Sequence, residues 1–317
     1  MRLRLTLCAA ACASLPVLAA PPEQDLSRVE VKSSTLAPGL LLLQGSGGNI
    51  AALTGSEGVL LVDDEFAPLA GRIGAALKAA GASESVRFVV NTHYHFDHTD
   101  GNAAFARSGA TIIAQDNLRT RLAAGGTIGN GGSIAREVAP AEAAALPTIT
   151  YRDELTVHLD GEAVRVHHYA HAHTDGDSVV FFPGAKAVHM GDIYVRYGFP
   201  FIDVNGGGNV RGMIEACADV VRSVPADTRV IPGHGAVASI EDLRGYLQML
   251  TDTTRVVSRA LARGQTLEQM KQAQLLKDWS ARYSPEGAFV NTDAFLESLY
   301  NSLQARQLRH GPEVRPH

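Results

Sequence analysis

Between Asn91 and Asn102 the chain reads NTHYHFDHTDGN, with three histidines and two aspartates in the eight positions from His93 to Asp100. His93 and His95 directly follow VRFVVN at 86–91, an apolar run with the character of a buried strand. Side chains two apart on extended backbone point the same way, so both imidazoles can face one ion. Asp97 and His98 come off the turn that opens the next helix and can face a second ion beside the first. Zinc accepts imidazole and carboxylate, and a catalytic zinc site keeps a position open for water. The plain alternative is a polar helix start, with Asp97 or Thr99 as cap and the histidines merely solvated. Four such residues between a buried strand and a helix favour the metal. Asp100 reads as helix-start chemistry.

The elements around this turn must hold it still. Apolar runs at 39–44 (GLLLLQ), 49–54 (NIAALT) and 58–64 (GVLLVDD) read as strands. A helix-period segment at 69–81 precedes the strand at 86–91. A short helix, a strand at 110–114 and a helix at 117–124 follow the histidine turn. The glycine cluster and Ala/Pro/Glu stretch at 125–147 read as a mobile loop or insertion. A second strand-rich block begins at 149, where LTVHL and AVRVHHY flank the hairpin signal Asp160-Gly161. Strands at 178–182, 186–190 and 228–232 continue it, and helices cover roughly 209–224, 239–263 and 292–307. Strand block and helices thus occur twice. Two such halves packed sheet against sheet, with helices outside, predict an α/β four-layer αββα sandwich.

Composition bounds the rest. With 317 residues, 45% hydrophobic and 19% charged, the chain can bury a large core. MRLR, an apolar run and the small residues Ala19 and Ala20 before PPEQ have the order of a secretory signal peptide. Cleavage near Ala19 or Ala20 would make the protein periplasmic or secreted, with a lead-in at 21–35 and a main domain at 36–263. It would also remove two of three cysteines, leaving Cys217 without an internal disulfide partner. A net charge of −5 speaks against nucleic acid as a partner, and no apolar stretch after the N-terminus is long enough to span a bilayer. The partner expected is a small molecule, and the protein a monomer or weakly associated. The C-terminal helical extension at 264–317 carries no motif.

HYHFDH at 93–98 resembles the signature of the metallo-β-lactamase superfamily, whose fold is the sandwich reached above. Three later motifs fall in that family's order: HAHTDGD at 171–177, MGD at 190–192 and PGHG at 232–235. The resemblance covers roughly residues 36–250 and implies a cage of seven ligands for two Zn²⁺ per chain. His93, His95 and His173 would hold one zinc, Asp97, His98 and His234 the other, and Asp192 would bridge them. It implies hydrolysis by a hydroxide shared between ions roughly 3.5–4 Å apart, with Asp97 orienting the nucleophile. Asp63 matches a strand-terminal aspartate that orients a ligand histidine from outside. Ala172 departs from the glycine usual before the family's third ligand histidine.

The segment IYVRYGFPFIDVNGGGN at 193–209 is aromatic, then glycine-rich, and reads as a pocket wall and partial lid. Tyr194, Tyr197, Phe199 and Phe201 would form its apolar surface, Arg196 would grip a substrate carboxylate, and Asn209 would add a polar contact. The reaction expected is opening of a cyclic amide or ester of β-lactam or lactone type. Asp192 stands where zinc β-lactamases carry cysteine or serine, which keeps a glyoxalase II-like thioester hydrolase open. An iron-dependent sulfur dioxygenase and a non-catalytic zinc-binding accessory of a quinoprotein pathway are the further alternatives.

Overall fold

The run Leu40–Leu43 divides its side chains between two faces, and that division builds the molecule. In the computed structural model, which describes residues 25–309, Leu40 and Leu42 face one apolar cluster and Leu41 and Leu43 another. The period of two makes each central strand a partition between layers.

Seven strands form the first sheet. β1 (Lys32–Ala37), β2 (Leu40–Gln44), β3 (Ile50–Gly55) and β4 (Gly58–Val62) run as an antiparallel meander. α1 (Ala70–Ala79) crosses to β5 (Val86–Val90), which pairs parallel to β4. α2 (Phe96–Thr99) and α3 (Asn102–Arg107) lead to β6 (Thr111–Gln115), and α4 (Asp116–Ala124) follows. A small hairpin, β7 (Gly126–Gly129) and β8 (Ala135–Val138), precedes β9 (Ile149–Tyr151), which closes this sheet beside β6.

The second sheet has the order β10 (Glu154–Leu159), β11 (Glu162–His168), β12 (Ser178–Phe182), β13 (Ala187–His189) and β14 (Arg229–Ile231). Its last pair is parallel, joined by a crossover through α5 (Val210–Ser223). α6 (Ile240–Ala262), α7 (Leu267–Gln272), α8 (Lys277–Tyr283) and α9 (Thr292–Arg309) complete the described residues. Asp160 and Gly161 both take positive φ at the turn between β10 and β11, the geometry of a tight hairpin.

Three clusters separate four layers. Leu40, Leu42, Leu60 and Val62 meet Val164, Val166, Val180 and Phe182 between the sheets. Leu41, Leu43 and Leu61 pack under Ile73, Ala76 and Leu77, the i, i+3, i+4 stripe of α1. The outer face of the second sheet is covered by α5, α6 and α9 through Met213, Leu243, Leu250, Phe295 and Leu299. The α/β sandwich expected from the sequence is the observed fold.

Two departures matter. Residues 125–147 are no open loop. They contain the hairpin β7–β8, and Asn130 organises its tip by accepting hydrogen bonds from Gly132 and Ile134. Glu297 of α9 accepts from Ser133, fastening that tip to the C-terminal helix. The C-terminal helices share the core of the second half, with Leu276, Val290 and Leu303 in the same cluster as α5 and α6. The proposed leader lies outside the described residues, and no helix among those described is long and apolar enough to cross a membrane.

Candidate metal centre

The carboxyl ends of β4, β5, β11, β13 and β14 lie at one edge of the sandwich, and each feeds a turn that carries chemistry. β5 delivers His93, His95, Asp97 and His98; β11 leads to His173, β13 to Asp192 and β14 to His234. All seven come together. Their donor atoms fall into three overlapping groups able to hold a cation: His93, His95 and His173; His93, His98 and Asp192; and Asp97, His98 and His234.

The outer side of each imidazole decides what its inner side can do. Asp63 accepts hydrogen bonds from His98 Nδ1 at 2.8 Å, from Thr92 N at 2.7 Å and from Thr92 Oγ1 at 2.8 Å. Because Thr92 Oγ1 donates to Asp63, it accepts from His93 Nδ1 at 3.1 Å. His173 Nδ1 donates to Phe201 O at 2.9 Å, and His95 Nε2 donates to Asp203 at 3.0 Å. These assignments follow from the hydrogen-bond network. They leave His93 Nε2, His95 Nδ1, His98 Nε2 and His173 Nε2 as lone pairs aimed inward.

That arrangement needs a cation. His95 Nδ1 and His173 Nε2 stand 3.1 Å apart, lone pair to lone pair, and His93 Nε2 is buried with no hydrogen-bond partner. Asp97 lies 3.2 Å from His234 Nε2, and Asp192 lies 3.3 Å from His98 Nε2 and 3.5 Å from His234 Nε2. Neither carboxylate pairs with a lysine or arginine among the described residues. Imidazole and carboxylate donors without thiolate suit a divalent first-row metal ion.

The titration behaviour expresses the same demand. Burial and three neighbouring imidazoles push His93 well below its ordinary value, and burial with His95 pushes His173 down to about 4. Burial opposes ionisation of Asp97, but His98 and His234 outweigh it and hold Asp97 at about 2. Asp192 is likewise held well below the usual carboxylate range, against its burial, by His234 and His98. His98 and His234 move upward despite burial because those carboxylates face them.

Two glycines admit the ligands. A Cβ on Gly48 would stand 2.2 Å from the His98 ring, and one on Gly233 would stand 1.9 Å from Asp192 Oδ1. Both backbones close directly onto ligand side chains, which only glycine permits.

A family model described as the metallo-beta-lactamase superfamily matches residues 44–234, more than half of the chain. The chain belongs to the metallo-beta-lactamase superfamily. Among curated relatives, a hydroxyacylglutathione hydrolase from Polaromonas sp. is 31% identical over 147 residues, covering 46% of this chain and 47% of that protein. One of the same name from Brucella anthropi is 30% identical over 185 residues, covering 56% and 60%. The alpha subunit of a 2,4-dinitroanisole O-demethylase from Nocardioides sp. is 27% identical over 142 residues, covering 44% and 39%. These matches thus span under two thirds of each relative's length. Two solved structures superpose with a TM-score of 0.58. DIM-1 metallo-beta-lactamase is 18% identical over 71% of this chain and 99% of its own. The metallo-beta-lactamase from Pontibacter korlensis is 16% identical over 70% and 99%. At such identity they show the fold alone.

Within this superfamily scaffold, the residues expected to contact substrate separate. Phe201 reaches the site, its ring 6.0 Å from those of His95 and His173. Tyr194 instead turns into the core against Tyr246, and Phe199 is fully buried between Phe295 and Tyr283. Asn209 caps α5 by accepting from Arg211 N and donates to Ser302 O. Arg196 directs its guanidinium to the carbonyls of Ala236 and Val237 and toward Asp242 at 3.8 Å. Tyr197 sits at the mouth, its ring 5.7 Å from that of His234. His171 turns to Gly207 O, away from the ligands.

Sequence reasoning missed two carboxylates. Asp203 accepts from His95, Tyr94 OH, Gly129 N and Gly206 N, joining the ligand turn to the 203–208 loop and the β7–β8 hairpin. Glu65 accepts three backbone N–H bonds from Gly45, Ser46 and Gly47, holding the loop that Gly48 presses onto His98. Each had a signal: an acidic residue in an aromatic run, and a third acid after an apolar strand.

Proposed function

We propose that this protein is a dinuclear zinc hydrolase of carboxylic thioesters or esters, exported after cleavage near Ala19 or Ala20. His93, His95 and His173 would hold one zinc, Asp97, His98 and His234 the second, with Asp192 between them. The inward-facing, partnerless lone pairs of His93, His95 and His173 carry this reading. When bound, zinc supplies Lewis acidity, polarising a scissile carbonyl and making water acidic enough to attack near neutral pH.

The chain's own groups supply orientation and proton handling. Asp97 is the more open of the two ligand carboxylates, with its side chain 22% exposed, and is the one placed to align attacking water. The Tyr197 oxygen accepts from Phe201 N, and its proton has no acceptor among the described residues, so it is free for a substrate oxygen. Asp63 and Asp203 fix the ring orientations on which all of this depends.

The two relatives named hydroxyacylglutathione hydrolase favour a thioester over the cyclic amide. The β-lactam or lactone reading keeps support from the aromatic mouth but loses Arg196. Metal analysis and a hydrolysis screen of thioesters, lactones and β-lactams test the proposal together. Two zinc ions per chain and thioester turnover are expected, with His95→Ala and Asp192→Ala each inactive. Fewer than one zinc, iron in its place, or full activity in either variant would refute it.

A further inference from the structure

The mouth of the metal centre is extended by a residue from the C-terminal helices. Phe289, in the connection between α8 and α9, is 65% exposed although its neighbour Val290 is buried. A single exposed phenylalanine ordinarily needs no explanation. This one stands at the end of an unbroken aromatic path. Its ring lies 6.0 Å from Phe201, which touches His95 and His173, and 6.1 Å from Tyr197, which touches His234.

The segment that presents it is fastened on both sides. Tyr283 O accepts from Phe199 N at 2.8 Å, and Gly198 approaches so closely that a Cβ would meet Tyr283 O at 2.5 Å. Thr292 bonds to Ser284 and Ser280, and Phe199 stacks on Phe295 at 4.4 Å. An apolar ring held out to solvent by a fixed backbone, continuous with ligand rings, gains free energy only when something apolar covers it.

We infer that Tyr197, Phe201 and Phe289 form one wall of the substrate site, and that Phe289 selects substrates bearing an apolar chain or ring next to the scissile carbonyl. This rests on the hydrolase reading above and narrows its substrate class. The wall offers no cation, since Arg196 is engaged by Ala236, Val237 and Asp242.

The test uses zinc-loaded protein and two ester or thioester series, one lengthening the acyl chain from acetyl to octanoyl and one lengthening the leaving group similarly. In at least one series kcat/KM should rise about two- to fourfold per methylene over the first few carbons. Phe289→Ala should lower the long-to-short ratio about tenfold, mainly through KM. Ile149→Ala removes the other exposed large apolar side chain among the described residues, at 43% exposure on β9, and should leave the ratio unchanged. Flat profiles in both series, or a Phe289→Ala ratio equal to wild type, would overturn the inference while leaving the hydrolase reading intact. If no member is hydrolysed, the hydrolase reading fails, and calorimetry with octanoate against acetate still reads the wall. Tighter octanoate binding that Phe289→Ala removes supports it; equal affinities refute it.

Discussion

The turn at 93–98 and the loop at 193–209 leave the ends of two central strands, one in each sheet, and converge on the same space. In the turn, four of six side chains point inward as donors, and Asp63 fixes two of the histidines through His98 and Thr92. In the loop, most side chains serve packing: Tyr194 and Phe199 enter the core, Asn209 caps a helix, and Arg196 ties down the 236–237 backbone. What the loop gives the ligands is one carbonyl and one carboxylate, Phe201 O for His173 and Asp203 for His95, while Tyr197 and the Phe201 ring are left to the proposed substrate wall. A ligand turn acts through its side chains, whereas the loop opposite acts chiefly as their support.

If support is the loop's role, its carboxylate should matter as much as Asp63, which supports the turn from the end of β4. Asp203→Ala is expected to be the most damaging change outside the ligands, because it strands Tyr94 OH, His95 Nε2 and two backbone N–H groups. Losing so many buried hydrogen bonds should cost about 3–5 kcal/mol, read from the denaturant midpoint. Zinc affinity should fall about 10- to 100-fold, and Asp63→Ala should lower it equally. A loss confined to Asp63→Ala would break the comparison.

Gly48→Ala comes next. Its methyl would meet the His98 ring with Gly47 already against Asp97 O, so His98 must turn from Asp63 or the 45–48 loop must lift. About tenfold weaker zinc binding is expected, with a stability loss of about 1–3 kcal/mol from overpacking. Glu65→Ala should cost stability without that loss of zinc. It frees three N–H groups of that loop and should cost about 2 kcal/mol of stability, with under threefold change in zinc affinity. Competition with a chromogenic chelator separates the two.

Much of this was legible in the sequence because periodicity and local motif carried it. Apolar runs such as LLLL and the helix-period segment at 69–81 reflect burial directly, so the layers could be read. Four of the seven converging residues, His93, His95, Asp97 and His98, announced themselves by type and spacing after an apolar strand, and His173, Asp192 and His234 followed from the family resemblance. Asp203 and Glu65 carried only weak signals, because what fixes their roles is long-range: His95, Tyr94 and Gly129 for Asp203, and the amides of Gly45, Ser46 and Gly47 for Glu65. The 125–147 segment looked mobile because glycine suits both loops and tight hairpins, and its ordering depends on Glu297, a long-range contact. Phe289 lay beyond every motif, placed by packing of the C-terminal helices.

Arg196 gives the finest test, because its sequence position and its structure point in opposite directions. Position places a guanidinium four residues past Asp192, at the mouth of the site. The structure directs it to two carbonyls at 3.3 and 3.1 Å, beside a long contact to an exposed aspartate. Bonds of that kind at a surface contribute about 1 kcal/mol or less. Arg196→Ala should therefore shift the unfolding midpoint slightly and leave KM unchanged within about twofold for acidic and neutral substrates alike. A selective rise of about tenfold in KM for carboxylate-bearing substrates would mean that the side chain swings inward on binding. Arg196 would then join Tyr197 and Phe201 in recognition, and the division between ligand turn and supporting loop would fail at that residue.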